Sequence, residues 1–323
     1  MVRGHEESVV TASIVRIVGP SYCGSTVLGC AMNTGPGVFF GSEIYRYLLG
    51  WRVAENDGRF PSCDFCGPSC EYWSEELRTE LEAAEADRIS LVHDALLRHH
   101  PEITMLEDGS KSVPESDDDR PDFIISPRKH PMRLIASHVY NRRRRFGIDT
   151  DDLGEISATI DRSPDEFVPV VQSAAAHFLR SYRTISDACP EAHVFRADEA
   201  DHDSFAAFRR LEADLGVDDG TFDPARFSQY PAHTIGGNRQ PIWMTRRAHG
   251  QTAPTNPRTA YYDATVGAGD WKQDDKYRVL FSAAAQTMVC DDPKYRDLCD
   301  LLGYGPLPSA ASDDSTRQTD RPT

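Results

Sequence analysis

Apolar positions along the chain follow two periods. Short runs of β-branched and aromatic residues, bounded by glycine, proline and polar clusters, predict buried strands at Val15, Ile17 and Val18, at Val38-Phe39-Phe40, at Ile103-Thr104-Met105-Leu106, at Asp122-Phe123-Ile124-Ile125-Ser126 and at His193-Val194-Phe195-Arg196. Between them, apolar residues recur three or four positions apart. These stretches predict helices from Val27 to Met32, over Ser74 to His99 with Ser74 as the N-cap, from Pro131 onward, over Phe167 to Cys189, over Asp201 to Leu215 with Gly216 closing it, and over Asp275 to Val289 and Pro293 to Leu302. Strands that alternate with helices predict an α/β fold, a central parallel sheet flanked by helices in a three-layer sandwich. One domain is expected over residues 13–305. A loose polar arm at 1–12 precedes it, and a Ser/Asp/Thr-rich tail at 306–323 is expected to be disordered.

Composition narrows the class. A chain of 323 residues can bury one large core. Its formal charge of −16 argues against general binding to nucleic acid, which depends on neutralising phosphates. An anionic ligand must therefore sit in a local basic pocket, and a neutral substrate suits the chain better than a polyanion. No apolar run approaches a membrane span, and the first residues carry no apolar core of a secretory signal. Eight cysteines in a chain this long do not form the pattern of a disulfide scaffold. A soluble, cytoplasmic protein is expected.

Candidate chemistry concentrates between Ile14 and Glu43. The first strand runs into Gly19-Pro20-Ser21-Tyr22-Cys23-Gly24-Ser25-Thr26 and then into an apolar helix. The spacing is G-x-x-x-x-G-S-T, a P-loop with Ser25 in place of the lysine. Backbone N–H groups at a helix N-terminus, with two hydroxyls beside them, still suit an anion. Without the lysine that reaches β- and γ-phosphates, the loop suits a nucleotide that is not a triphosphate. Glu43 follows the second strand, on the side where parallel sheets hold their ligands.

The loop, its helix and Pro36-Gly37-Val38-Phe39-Phe40-Gly41-Ser42-Glu43 resemble the 5′-phosphosulfate loop of sulfotransferases that use 3′-phosphoadenosine 5′-phosphosulfate (PAPS), in particular the bacterial members. Their usual Arg-Ser-Gly-Ser-Thr or Lys-Ser-Gly-Thr-Thr is replaced here by Tyr22-Cys23-Gly24-Ser25-Thr26. Glu107-Asp108-Gly109-Ser110-Lys111-Ser112 resembles a family stretch Asp-Ser-Ser-Lys-Ser-Pro after a core strand. Lys129-His130-Pro131, with Ser137 eight residues after Lys129, resembles the Arg-Asp-Pro and serine that bind the 3′-phosphate. His233-Thr234-Ile235-Gly236-Gly237-Asn238 resembles a His-x-x-Gly-Gly-Asn element near the nucleotide. The resemblance covers about residues 14–303 and implies the P-loop-containing sulfotransferase fold, PAPS as donor and no required metal. It implies that Tyr22, Cys23, Gly24, Ser25 and Thr26 cradle the phosphosulfate, and that Lys129 and Ser137 hold the 3′-phosphate. Gly237 and Asn238 would line the nucleotide. Glu43 would be the general base and Lys111 the cation at the sulfonate. The acceptor would be a hydroxyl of a small molecule, carbohydrate or lipid. Gly269-Asp270-Trp271-Lys272 matches a Gly-Asp-Trp-Lys of cytosolic members, but the Arg-Lys-Gly before it is absent, so the match is taken as coincidence.

Two other functions remain open: an ATP-dependent small-molecule kinase, which Ser25 in place of lysine disfavours, and a nucleotide-binding protein of the same fold without catalysis, which Tyr22 keeps in play. One further cluster stands apart. Cys63-x-x-Cys66-x-x-x-Cys70 offers three thiolates for zinc, but the neighbouring sequence offers no fourth ligand. A tight, redox-sensitive structural loop is the other reading, and bacterial sulfotransferases carry a similar cysteine-rich stretch ending in an aromatic, here Trp73. The sequence assigns no metal to this loop.

Overall fold

The computed structural model describes residues 12–44, 63–84, 88–114, 119–198, 205–235, 239–251 and 276–305. Five strands form one sheet: β1 (Ser13–Val18), β2 (Val38–Ser42), β3 (Met105–Lys111), β4 (Phe123–Arg128) and β5 (His193–Arg196), in the order β2-β3-β1-β4-β5. Every pair of neighbours runs parallel. The chain leaves β1 for the far edge, returns to lay β3 beside β1, and then crosses to β4 on the other side. The C-terminal ends of β3, β1 and β4 therefore lie side by side at the point where the order reverses. This is where open parallel sheets form their ligand crevice.

Strand side chains alternate between the two faces, and each face has its own cover. Val15, Ile17, Phe40, Met105, Ile125 and Phe195 pack against α1 (Ser25–Met32) and α7 (Ala206–Leu215) through residues such as Leu28, Met32, Phe208 and Leu211. On the opposite face, Val18 and Ile124 lie under α4 (Pro131–Arg142), α5 (Leu153–Arg162), α6 (Pro164–Ala188) and the closing helices α9 (Lys276–Leu280), α10 (Ala283–Asp291) and α11 (Pro293–Leu302). Phe39 and Leu106 on that same face lie under α2 (Glu75–Ala83) and α3 (Ile89–His99). A further helix, α8 (Arg239–Ala248), adds Met244 to the α1 side. The expected α/β fold with helices on both sides of a parallel sheet is observed. Among the described residues no helix is long and apolar enough to cross a membrane.

The elements depart from the sequence reading where polar residues or caps decide. The helix expected over 74–99 is two helices. Ser74 does cap the first, accepting from Leu77 N at 3.2 Å, but the second folds back so that Arg98 and His99 both pair with Glu80. The helix expected over 275–289 also divides, because Ser282 caps a new start by accepting from Ala285 N at 3.2 Å. α5 was not anticipated. Asp152 starts it, accepting from Glu155 N at 2.9 Å. β3 begins two residues later than expected and continues to Lys111, through five residues with polar or no side chains. Pairing with β1 on one side and β2 on the other supplies the backbone partners that hydrophobic pattern alone did not signal.

One of those residues has an unusual burden. Glu107 is fully buried, and neither carboxylate oxygen has a hydrogen-bond partner among the described residues. Burial alone pushes its pKa well above the ordinary carboxylate value, so the group stays protonated when the chain folds. The unfolded chain releases that proton above about pH 4.3, so stability falls as pH rises toward the raised folded value, by about 1.4 kcal/mol per pH unit. We expect Glu107→Gln to flatten this fall when urea midpoints are compared between about pH 5 and about pH 8. Parallel pH dependences in the two proteins would contradict the assignment.

Candidate active site

The loop after β1 is shaped by close approach. A side chain at Gly19 would stand 2.7 Å from the Cys23 sulfur, which is tucked beneath the loop and fully buried. Tyr22 (φ 74°) and Gly24 (φ 102°) both adopt the left-handed conformation, a backbone habit that gathers successive N–H groups on one concave side. Gly24 is the N-cap of α1 and provides no side-chain cap, and the first turn holds no acidic residue. The positive end of α1 is thus not neutralised by its own side chains. Burial raises the pKa of the Cys23 thiol, with Lys111 and Ser25 opposing it, so the group stays a thiol.

Two further left-handed residues end the neighbouring strands: Ser42 (φ 63°) on β2 and Lys111 (φ 65°) on β3. Register slips accompany both. Phe40 pairs with Glu107 but Ser42 with Asp108, and Arg16 pairs with Asp108 but Val18 with Lys111. Such bulges re-aim side chains at sheet edges. Here they bring the Lys111 ammonium onto the Glu43 carboxylate, Nζ donating to Oε1, with side chains only 20% and 6% exposed. The two residues singled out from sequence for separate roles therefore form one ion pair across the ends of β2 and β3.

Asp108 holds the bulge in place. Its Oδ1 accepts from Ser110 N at 2.9 Å and from the Ser110 hydroxyl. Its Oδ2 lies 3.3 Å from both Arg16 Nε and His93 Nε2, and the other Arg16 nitrogens fork onto Asp119 at 2.9 and 3.0 Å. Burial opposes the charge on Asp108, but His93, Arg16 and Ser110 outweigh it and keep the pKa below the ordinary value.

Beyond β4, Lys129 and Pro131 open α4, and His130 caps it. His130 Nδ1 accepts from Met132 N at 3.2 Å while Nε2 faces Gly305 O at 3.2 Å, which requires the neutral ring with its proton on Nε2. Burial lowers its pKa accordingly. Asp198, after β5, accepts from both His130 N and Arg133. Lys111 ends β3 and Lys129 follows β4, the two parallel neighbours of β1, so both stand at the end of the sheet from which the β1 loop leaves. Ser137 is buried nearly two turns into α4, and the Tyr22 ring meets His138 of that helix edge-on at 6.2 Å. Gly237 and Asn238 lie outside the described residues, as do residues 269–272.

No sequence motif marks Arg128, Arg196 or Arg210. Arg128, Arg196 and Arg210 line a cleft of about 400 Å³ beside β5. A Cβ added at Gly24 would lie 3.9 Å from the side chain of Ala197, the residue after Arg196. The available signal was Arg128 and Lys129 in succession at the end of a strand, within an acidic chain.

The cysteine loop has acquired a distant partner. Cys63, Cys66, Cys70 and His233 place one ligand-type atom each within 4.8 Å of all the others. His233 Nδ1 lies 3.2 Å from Cys66 Sγ and 3.4 Å from Cys70 Sγ. The missing fourth group comes from 163 residues along the chain, so local spacing did not reveal it.

No protein-family model matches this chain, and no curated protein or solved structure matches it. The Glu43–Lys111 pair gives the first test of the site. In a double-mutant cycle of Glu43→Gln and Lys111→Met, measured by chemical denaturation, we expect a coupling of about 0.5–3 kcal/mol. Additive effects would contradict the pairing.

Proposed function

We propose that this chain is a PAPS-dependent sulfotransferase of the P-loop-containing fold, acting on a hydroxyl of a neutral small molecule, carbohydrate or lipid. The observation that carries the proposal is the set of three left-handed, non-glycine residues on one side of the sheet: Tyr22 in the loop after β1, and Ser42 and Lys111 at the C-terminal ends of β2 and β3. Each such conformation costs on the order of 1 kcal/mol, and such strain gathers at ligand sites. Here it accompanies an anion-type loop and a carboxylate–ammonium pair. The ordered motif resemblance supplies the identity of the donor.

In this reading the loop N–H groups, Ser25 and Thr26 hold the 5′-phosphosulfate, while Lys129 and Ser137 hold the 3′-phosphate. The acceptor oxygen forms a bond to sulfur as the bond from sulfur to the 5′-phosphate oxygen breaks. Glu43 takes the hydroxyl proton, help commonly worth about 10²–10⁴-fold. Lys111 orients that carboxylate and faces the negative charge that passes to the 5′-phosphate of the leaving 3′-phosphoadenosine 5′-phosphate. Tyr22 occupies the family's cation position, so Lys111 and Lys129 carry the positive charge beside the loop.

Calorimetric titration with 3′-phosphoadenosine 5′-phosphate, beside ATP with magnesium, tests the proposal. We expect tighter binding of the bisphosphate and a loss of about tenfold or more in Lys129→Ala, since one lost charge-assisted phosphate contact is worth about 1.5–3 kcal/mol. Glu43→Gln should still bind it. Preference for ATP with magnesium would favour a kinase, and no binding of the bisphosphate would overturn the proposal.

A further inference from the structure

The Cys63–Cys70 loop has no part in the transfer chemistry, yet its geometry is highly specific. Cys63 and Cys66 form a tight knuckle. Gly67 N donates to Cys63 O at 2.9 Å, and Cys66 N points at the Cys63 sulfur at 3.4 Å. Gly67 takes φ 75°, which lets the chain turn back after Cys66 and bring Cys70 to the same point. Backbone N–H groups aimed at sulfur suit a thiolate better than a thiol.

His233 reaches the three sulfurs on a segment held by several independent contacts. Trp73 Nε1 donates to His233 O at 2.6 Å, and Asp64 N donates to Thr234 O at 2.8 Å. The Tyr72 ring lies over the imidazole with centroids 4.5 Å apart, and Phe65 meets it edge-on at 6.0 Å. These contacts fix the ring so that Nδ1 faces the cysteines.

We propose that Cys63, Cys66, Cys70 and His233 bind one zinc ion in a closed tetrahedral site that braces the turn carrying Glu43. Bonds of about 2.0–2.3 Å to nitrogen and sulfur put tetrahedral ligand atoms about 3.4–3.8 Å apart. The two sulfur–nitrogen separations of 3.2 and 3.4 Å are close to that edge. Three thiolates and an imidazole are ligands zinc favours. A disulfide would use two of the cysteines and leave the third beside a histidine aimed at it. Four protein ligands leave no open position, so the ion is structural. Its mechanical role follows from the chain on either side. Ile235, two residues past His233, donates its N–H to Gly41 O of β2 at 3.3 Å, and Gly41 is two residues before Glu43. Ile44 packs in the same apolar cluster as Cys63, Cys70 and Ile235. The metal thus joins the 63–73 loop to the segment at 231–235 and presses both against the end of β2. Zinc content is read without donor or acceptor, so this inference and the transfer reading stand or fall separately.

The test is elemental analysis of the full chain, produced with zinc in the medium and purified without chelator. We expect one zinc per chain, protection of Cys63, Cys66 and Cys70 from alkylation, and release of the ion together with loss of that protection on strong chelation. Cobalt exchanged into the site should show thiolate charge-transfer bands and the intense ligand-field bands of tetrahedral coordination. His233→Ala should lose most of the metal and His233→Cys should retain it. If these variants fail to fold, the metal content and cobalt spectrum of the unaltered chain still decide. Zinc far below one per chain, iron in its place, a Cys63–Cys70 disulfide, or octahedral cobalt would each overturn the proposal.

Discussion

The carboxylate of Asp108 is fully buried, and the groups around it favour its charged form. Arg16 from β1 and His93 from α3 meet one oxygen, and the Ser110 amide and hydroxyl meet the other. Removing one member of such a buried network commonly costs about 3–5 kcal/mol, although a wholly apolar replacement can be as stable. Stability alone therefore does not account for it. Its geometric effect is specific: the Ser110 contacts bend the end of β3, Lys111 adopts its left-handed conformation, and the ammonium turns onto Glu43. Charge neutralised in the middle of the sheet thus sets the direction of a side chain at its edge.

The same end of the sheet gathers basic side chains of a very acidic chain. Lys111 and Lys129 stand at the C-terminal ends of the two strands flanking β1, and Arg128 and Arg196 end β4 and β5. Asp198 and Glu43 hold Arg133 and Lys111 in place through ion pairs. Basic side chains, two of them already ion-paired, are thereby gathered at the C-terminal end of the sheet.

Much of the fold was legible because the strands are short apolar runs and β1 leads into a Gly-bounded loop. Legibility ended where long-range partners override local pattern. The second half of β3 is polar, and only pairing on both sides keeps it extended. The apolar stripe of α2 and α3 keeps helical spacing across their break, so the reversal shows only in the contacts of Glu80 with Arg98 and His99. At the candidate site, Glu43 and Lys111 were recognised as chemically important residues, but their mutual contact depends on two bulges that no spacing encodes. His233 was read as part of a nucleotide element. The structure aims its ring at three cysteines far away in sequence, and a pattern confined to one loop cannot express that.

Amide hydrogen exchange of the full chain, with and without saturating 3′-phosphoadenosine 5′-phosphate, tests most directly whether the edge of β1, β3 and β4 is the ligand site. The account predicts slowed exchange in the segments holding Tyr22 to Thr26, Ser110 to Ser112 and Lys129 to His130, with the β2 edge strand and the α2–α3 pair unchanged. Unchanged exchange in the β1 loop, or protection confined to the Arg128–Arg196–Arg210 cleft, would contradict it.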